Sequence, residues 1–265
     1  VYRERALPAD TELWIYTDNA DWFKGFDIPL PLHYRSLDPA TLKAWRGSID
    51  FVHRVKIELL RDFTAAHQGN ILYVDTDVVF TAPIDAMLQA IGGGALYMHV
   101  PEGIVSVGHN PVLRKLHKHL KQHNHDTING VRLYDLPMWN AGVLGLSTSY
   151  TPVLEKVLAF TDREYPLFPK HIVEQFAFSV YFAEAGNIHP ASPYILHYWN
   201  LKEARLVLSS FFKRYKALSW QALVDKFHVL QLPVLMQEKA GYYQNRSVIA
   251  KLLKKQWKPG EPEWG

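Results

Sequence analysis

The stretch ILYVDTDVVF, Ile71 to Phe80, constrains this chain more than any other. Residues Ile71 to Val74 are apolar on both faces of an extended backbone, the pattern of a central parallel strand. A strand of that kind has helices packed over both faces, so the expected class is α/β. It delivers two acids, Asp75 and Asp77, to its carboxyl end, the edge of an open α/β sheet where ligands bind. Side chains at i and i+2 of an extended chain point the same way. Both carboxylates can therefore converge on one hard cation, Mg²⁺ or Mn²⁺, which takes carboxylate and phosphate oxygens together. The alternative is a pair of acids that caps a strand end and holds nothing.

Around this run, strands alternate with helices. ELWIYTDN, Glu12 to Asn19, reads as a buried strand ending in a polar loop, and the Pro29, Pro31 and Pro39 region as loop with at most a short strand. Phe51, Val52, Val55, Leu59 and Phe63 recur at helical spacing and predict a helix over Ser48 to Ala66. A short helix over Pro83 to Ile91 and a strand over Ala95 to Val100 follow. Next come a helix over Asn110 to Asn124, a strand over Met138 to Ser147 and helices over Thr151 to Thr161 and Ile172 to Ala185. Pro193 to Tyr198 reads as a short strand, and the remainder as helical to about Lys255 with a break at Pro233. One catalytic-type domain over 1–202 is expected, with a helical extension over 203–265 packed on it.

Cysteine is absent from the 265 residues, which excludes disulfides, thiolate metal sites and cysteine nucleophiles. That absence, with no bilayer-length apolar run and no signal-peptide pattern, leads to an expected cytoplasmic location. The net charge of +3 is uneven: Leu201 to Gly265 carries 12 Lys plus Arg against 5 Asp plus Glu, and the first 200 residues are net acidic. A basic segment attracts anionic partners or simply presents a solvated face. Phe211, Phe212, Lys213, Arg214 and Lys216 mix apolar and basic character, as in a helix lying on a membrane surface. No nucleic-acid partner is expected.

The run ILYVDTDVVF resembles the Asp-x-Asp segment of GT-A nucleotide-sugar glycosyltransferases, above all the retaining glycogenin-like and bacterial galactosyltransferase-like group. RVKIELL (Arg54 to Leu60) resembles the family's helix before that strand, WNAGVLGL (Trp139 to Leu146) its Asn-x-Gly-Val strand, VEQFAFS (Val173 to Ser179) its acidic-Gln helix start, and HYWNLK (His197 to Lys202) its late His and Lys. The resemblance covers about residues 12 to 202 and implies a mixed, Rossmann-like GT-A sheet flanked by helices. It implies transfer of a sugar from a nucleotide-diphosphate donor, a UDP-sugar, to a glycan-type acceptor with retention, using Mn²⁺ or Mg²⁺.

It also implies roles. Asp75, Asp77 and His197 hold the metal. Lys202 meets the phosphates. One of Arg54 and Lys56 points into the site, since residues two apart on a helix do not share a face, and the resemblance favours Lys56. Asn140, Glu174 and Gln175 hydrogen-bond sugar or acceptor, while Gly142 and Gly145 let the sugar approach the backbone. The family begins with a strand whose end binds the nucleotide. Either the chain lacks that strand and its helix, or ELWIYTDN fills the role with Thr17 and Asp18 at its end. The pattern departs in three places: Asn200 where Gly is usual, Lys202 followed by Glu203, and Glu174 where Asp is usual.

Two other readings stand beside this one. A haloacid-dehalogenase-like phosphatase also carries Asp-x-Asp after an apolar strand, but near its start and with a later acidic pair, and no Asp-Asp or Gly-Asp lies downstream here. A module that binds nucleotide or glycan without turnover is the second. The histidines His117, His119, His123 and His125 place His119 and His123 on one helical face, as zinc would need. Lys115, Lys118 and Lys121 among them favour a solvated basic face.

Overall fold

A computed structural model describes residues 7–8, 10–24, 30–108, 110–124, 126–247 and 256–260, with the Trp220 side chain left out. His125 and the expected helix after residue 247 lie outside the described residues. The chain folds into two compact units. Among the described residues, the first comprises those within 7–20 and 30–197, the second those within 21–24 and 198–260.

In the first unit the elements run β1 (Leu13–Thr17), β2 (Leu32–Ser36), α1 (Pro39–Arg46), α2 (Arg54–Ala66), β3 (Asn70–Val74), β4 (Val78–Phe80), α3 (Asp85–Gly92), β5 (Leu96–Met98) and β6 (Pro101–Ile104). They continue with α4 (Pro111–His123), β7 (Thr127–Ile128), β8 (Val131–Arg132), β9 (Pro137–Trp139), β10 (Val143–Ser147), α5 (Thr151–Glu164), α6 (Ile172–Ala185), β11 (Ile188–Pro190) and β12 (Ile195–His197). The second unit holds α7 (Ala204–Arg214), α8 (Trp220–Lys226) and α9 (Leu232–Gln244). The class is mixed α/β.

The main sheet has the order β11-β5-β10-β3, with β11 parallel to β5 and the other pairs antiparallel. Alternation along its strands buries both faces. Leu96 and Met98 on β5 and Leu144 and Leu146 on β10 face a core shared with α2, α4, α5 and α6. Tyr97 and Val143, one residue out of phase, face a second core with Met87 and Ile91 of α3.

Several expectations are corrected. The acid-bearing strand β3 ends the main sheet and runs antiparallel to β10, where a central parallel strand was expected. Of its apolar residues Ile71 is buried and Leu72, Tyr73 and Val74 are half-buried; Ile71 and Tyr73 pack on the first core, Leu72 and Val74 on the second. The strand expected over Met138 to Ser147 breaks into β9 and β10 around Asn140 and Gly142. The proline-rich region holds a helix, α1, because Asp38 caps it by accepting from Thr41 N–H and Pro39 suits its first turn. Strand β1 is half-buried and pairs in parallel with β2 in a separate two-stranded sheet.

The histidine segment is corrected too. His119 is buried on α4, stacked on Phe168, and its Nε2 meets Glu164 Oε2 at 2.8 Å. Asn124 Nδ2 donates to the other oxygen of that carboxylate at 2.8 Å. The lysines do face solvent, yet His119 is an internal tie between α4 and α5.

Candidate metal centre

The loop between β3 and β4 carries Asp75 and Asp77. Asp75 N–H donates to Gly142 O at 2.8 Å, which pins the loop to the break between β9 and β10. Strand β4 pairs with β12 so that Val78 lies opposite His197, and the imidazole arrives beside the acids. One ligand atom each from Asp75, Asp77 and His197 lies within 4.8 Å of the others.

Each of the three is oriented. Tyr73 Oη donates to Asp75 Oδ1 at 2.6 Å and Lys56 Nζ approaches the same oxygen at 3.4 Å. Asp75 Oδ2 is the atom turned towards His197 Nε2, 3.9 Å away. Asp77 Oδ1 stands 3.0 Å from the same Nε2, and that hydrogen bond holds the Asp77 carboxyl below its usual range. His197 Nδ1 lies 2.8 Å from Asn140 Oδ1, which also accepts from Gly142 N–H at 3.0 Å. Asn140 Nδ2 donates to Glu102 Oε1 at 3.1 Å, so the amide can face only one way. Nδ1 therefore donates to Asn140, and Nε2, which meets Asp77 in the metal-free protein, is the ring nitrogen left for a cation to take in place of that contact. Two carboxylate oxygens and one imidazole nitrogen are a donor set that a divalent metal ion can take.

Behind the acids lies a buried charge network. Lys56 Nζ donates to Ala141 O at 2.9 Å and lies 3.3 Å from Glu174 Oε1. That second contact is an ion pair without hydrogen-bond geometry, and Glu174 Oε1 has no hydrogen-bond partner. Burial pushes the Glu174 carboxyl up to about 7; Lys56 opposes the shift and Asp75 adds to it. A buried carboxyl with one vacant oxygen, next to an acidic pair, is a group of the kind functional sites collect.

The expected residues separate into those the fold brings together and those it does not. Asp75, Asp77, His197, Asn140, Gly142, Lys56, Glu174 and Gln175 form one contiguous group, in which Gln175 Nε2 donates to Glu102 Oε2 at 2.9 Å. Asn140, expected to meet a sugar, instead spends its amide on His197, Gly142 and Glu102. Gly142 makes room for His197: a Cβ there would lie 2.1 Å from the ring. At Gly145 a Cβ would meet Ile91 and Tyr97, so that glycine serves helix-to-sheet packing. Lys56 is buried and occupied by Ala141, Asp75 and Glu174, and so positions Asp75.

Arg54 turns the other way. It forms a fork with Asp162, at 2.8 and 3.1 Å, and bonds Glu58 and Trp45 O. Thr17 and Asp18 end β1, where Thr17 Oγ1 accepts from Asn19 N–H and Asp18 is exposed. Lys202 is exposed and belongs to the second unit.

Glu102, Tyr73 and His99 escaped the sequence reading. Glu102 sits on a β-bulge of β6, between Pro101 and Gly103, where the pairing with β9 shifts register. A Pro and a Gly flanking one acid were the only local sign of it. His99 is buried, bonds Ile195 O through Nε2, and meets the His197 ring edge-on at 5.3 Å. Burial, with the neighbouring His197, pushes it down to about 4, so the ring is neutral.

The fold and the site thus define an α/β protein with a candidate Asp-Asp-His cation centre. No protein-family model, no curated protein and no solved structure matches the chain.

Proposed function

We propose that this chain is a metal-dependent glycosyltransferase of the GT-A type, taking a sugar from a nucleotide-diphosphate donor, a UDP-sugar, to a glycan-type acceptor. One observation carries the reading: His197 converges on Asp75 and Asp77 from a strand 120 residues away, with its tautomer set by Asn140. The phosphatase alternative needs a later Asp-Asp or Gly-Asp in the sequence, and none lies downstream of Asp77. The binding-only module remains separable by turnover alone.

The reaction forms a bond between the anomeric carbon and an acceptor hydroxyl oxygen. It breaks the bond from that carbon to the diphosphate, which takes the electron pair, and the hydroxyl proton leaves with the diphosphate or to solvent. Asp75, Asp77 and His197 would hold Mn²⁺, which would supply Lewis-acid stabilisation of the diphosphate charge. Lys56 and Tyr73 keep Asp75 in place. Asn140 keeps His197 in place. Glu102, which Asn140 and Gln175 both hold, presents acceptor oxygens towards sugar hydroxyls. Positive charge that develops at the sugar in an oxocarbenium-like transition state would be met by the Glu102 carboxylate.

We extend the reading to a surface of the second unit. Phe211 is buried, so the expected lipid-facing pair reduces to Phe212, joined by Leu206, which is 69% exposed. Between Ala204 and Ser219 there are four basic residues and no acid. An anionic lipid surface suits that combination. Among the described residues no helix is long and apolar enough to cross a membrane.

Titration calorimetry with UDP tests the site. Binding is expected only with Mn²⁺ present, and Asp77→Asn is expected to remove that metal-dependent binding. Mn²⁺-dependent affinity unchanged in Asp77→Asn would sink the assignment.

A further inference from the structure

Glu102 faces two ways. Its carboxylate is held by Asn140 and Gln175, and it also lines a cleft of about 330 Å³ with Gly103, Ile104, Val107, Gly108 and Asn110. A larger cleft by Arg163 and Lys156 is less open to a charged ligand, because those cations already pair with Asp126 and Glu184.

The bulge at Glu102 builds the smaller cleft. It turns the carboxylate towards the site and leaves the next residues, Gly103 and Ile104, on the rim. Gly103 has φ +110°, a conformation side chains rarely adopt, so its wall stays open. Gly108 packs under Leu113, where a Cβ would lie 2.4 Å from Leu113 Cβ. That contact fixes the short helical turn carrying Val107. Ile104 is 43% exposed and Val107 59% exposed, while their neighbour Val105 is fully buried in the core. Two aliphatic side chains thus stand in solvent beside a buried neighbour, and among the described residues that line the cleft Glu102 is the only charged one.

We propose that this cleft binds the apolar aglycone of the acceptor, an alkyl or aryl group attached to a sugar whose hydroxyls meet Glu102. This deepens the transferase reading and rests on it for the word acceptor, though not for the binding itself. Glu102, Ile104 and Val107 line the same cleft, so a ligand bonded at Glu102 can lay an apolar segment over Ile104 and Val107. Its volume lies at the small end of ligand pockets, enough for a short chain or one ring but not for a protein segment. A free sugar would leave the aliphatic wall wet, whereas an aglycone removes it from water.

The test compares n-hexyl and methyl glycosides of glucose, galactose and mannose, binding to the full chain by calorimetry with no donor added. At least one hexyl glycoside is expected to bind about tenfold or more tightly than its methyl counterpart, as partial burial of five further carbons requires. Ile104→Asp and Val107→Asp, both at exposed positions, are each expected to erase that preference. Mn²⁺-dependent UDP binding, measured on the same samples, is expected to be unchanged and shows that the variants are folded. Equal affinity for hexyl and methyl glycosides overturns the proposal. So does a hexyl preference that survives both variants. A hexyl preference lost in the variants, in a protein that never binds UDP with Mn²⁺, supports the cleft and defeats the transferase reading instead.

Discussion

His197 Nδ1 donates to Asn140 Oδ1 across 2.8 Å, and this contact decides which imidazole nitrogen faces the acids. Asn140 owes its orientation to Gly142 and Glu102 in turn. Removing an orienting partner of this kind lowers metal affinity by about 10- to 100-fold. Asn140→Ala is accordingly expected to weaken Mn²⁺ binding within that range in a direct titration. Asn140→Asp, which keeps an acceptor at Nδ1, is expected to retain more of the affinity than Asn140→Ala.

Gly142→Ala is expected to act through His197. The new Cβ would lie 2.1 Å from ring carbon Cε1 and 2.2 Å from Nδ1, so the ring must move. Overpacking of this sort costs about 1–3 kcal/mol, and Mn²⁺ affinity should fall with it. The double variant Gly142→Ala, His197→Ala removes the clash and should recover most of the stability but none of the metal binding. Urea denaturation with and without Mn²⁺ reads both.

Glu174 predicts a pH dependence of the metal-free protein. Burial raises its carboxyl from an ordinary 4.5 to about 7. The folded state therefore holds this proton more tightly than the unfolded chain does. The associated stability is fully present below pH 4.5 and is lost as pH rises through 7. Glu174→Gln keeps the neutral form at every pH. Its stability relative to the parent is expected to rise between pH 4.5 and 8. Denaturant titrations at both pH values check this; a constant difference would contradict it.

The surface of α7 is checked with vesicles. Co-sedimentation with anionic phosphatidylglycerol vesicles is expected, and little with neutral phosphatidylcholine. Lys213→Glu with Lys216→Glu should reduce the anionic binding, because each basic residue near such a surface contributes about 1 kcal/mol. Leu206→Asp should reduce it further through the apolar contribution. Phe211→Asp is a different case: the side chain is fully buried, so its loss would unfold the unit and report nothing about lipid.

The sequence by itself determined the pieces whose signal is local. The apolar run before Asp75 and Asp77 needs only its own residues to become a strand that ends in two acids. The helical periodicity of α2, α4 and α6 is equally local, and so is the Pro at the first turn of α4. The tertiary structure alone decided what meets those acids. His197 reaches Asp77 because β12 pairs with β4, and that register depends on everything folded between them. The same holds for β3, whose pattern reads as that of a central strand although it ends the main sheet. Gly142, expected from the sequence to make room for a sugar, makes room for the His197 ring, which fills the space a side chain would take. Glu102 carries no periodic signal, since a bulge breaks the alternation by which a strand is recognised. His119 sat among lysines, and only the approach of α5 showed that its own face turns inward to Glu164. Short-range patterns select a backbone conformation residue by residue, whereas a site is made by contacts between segments far apart in the chain, whose partners no local pattern names.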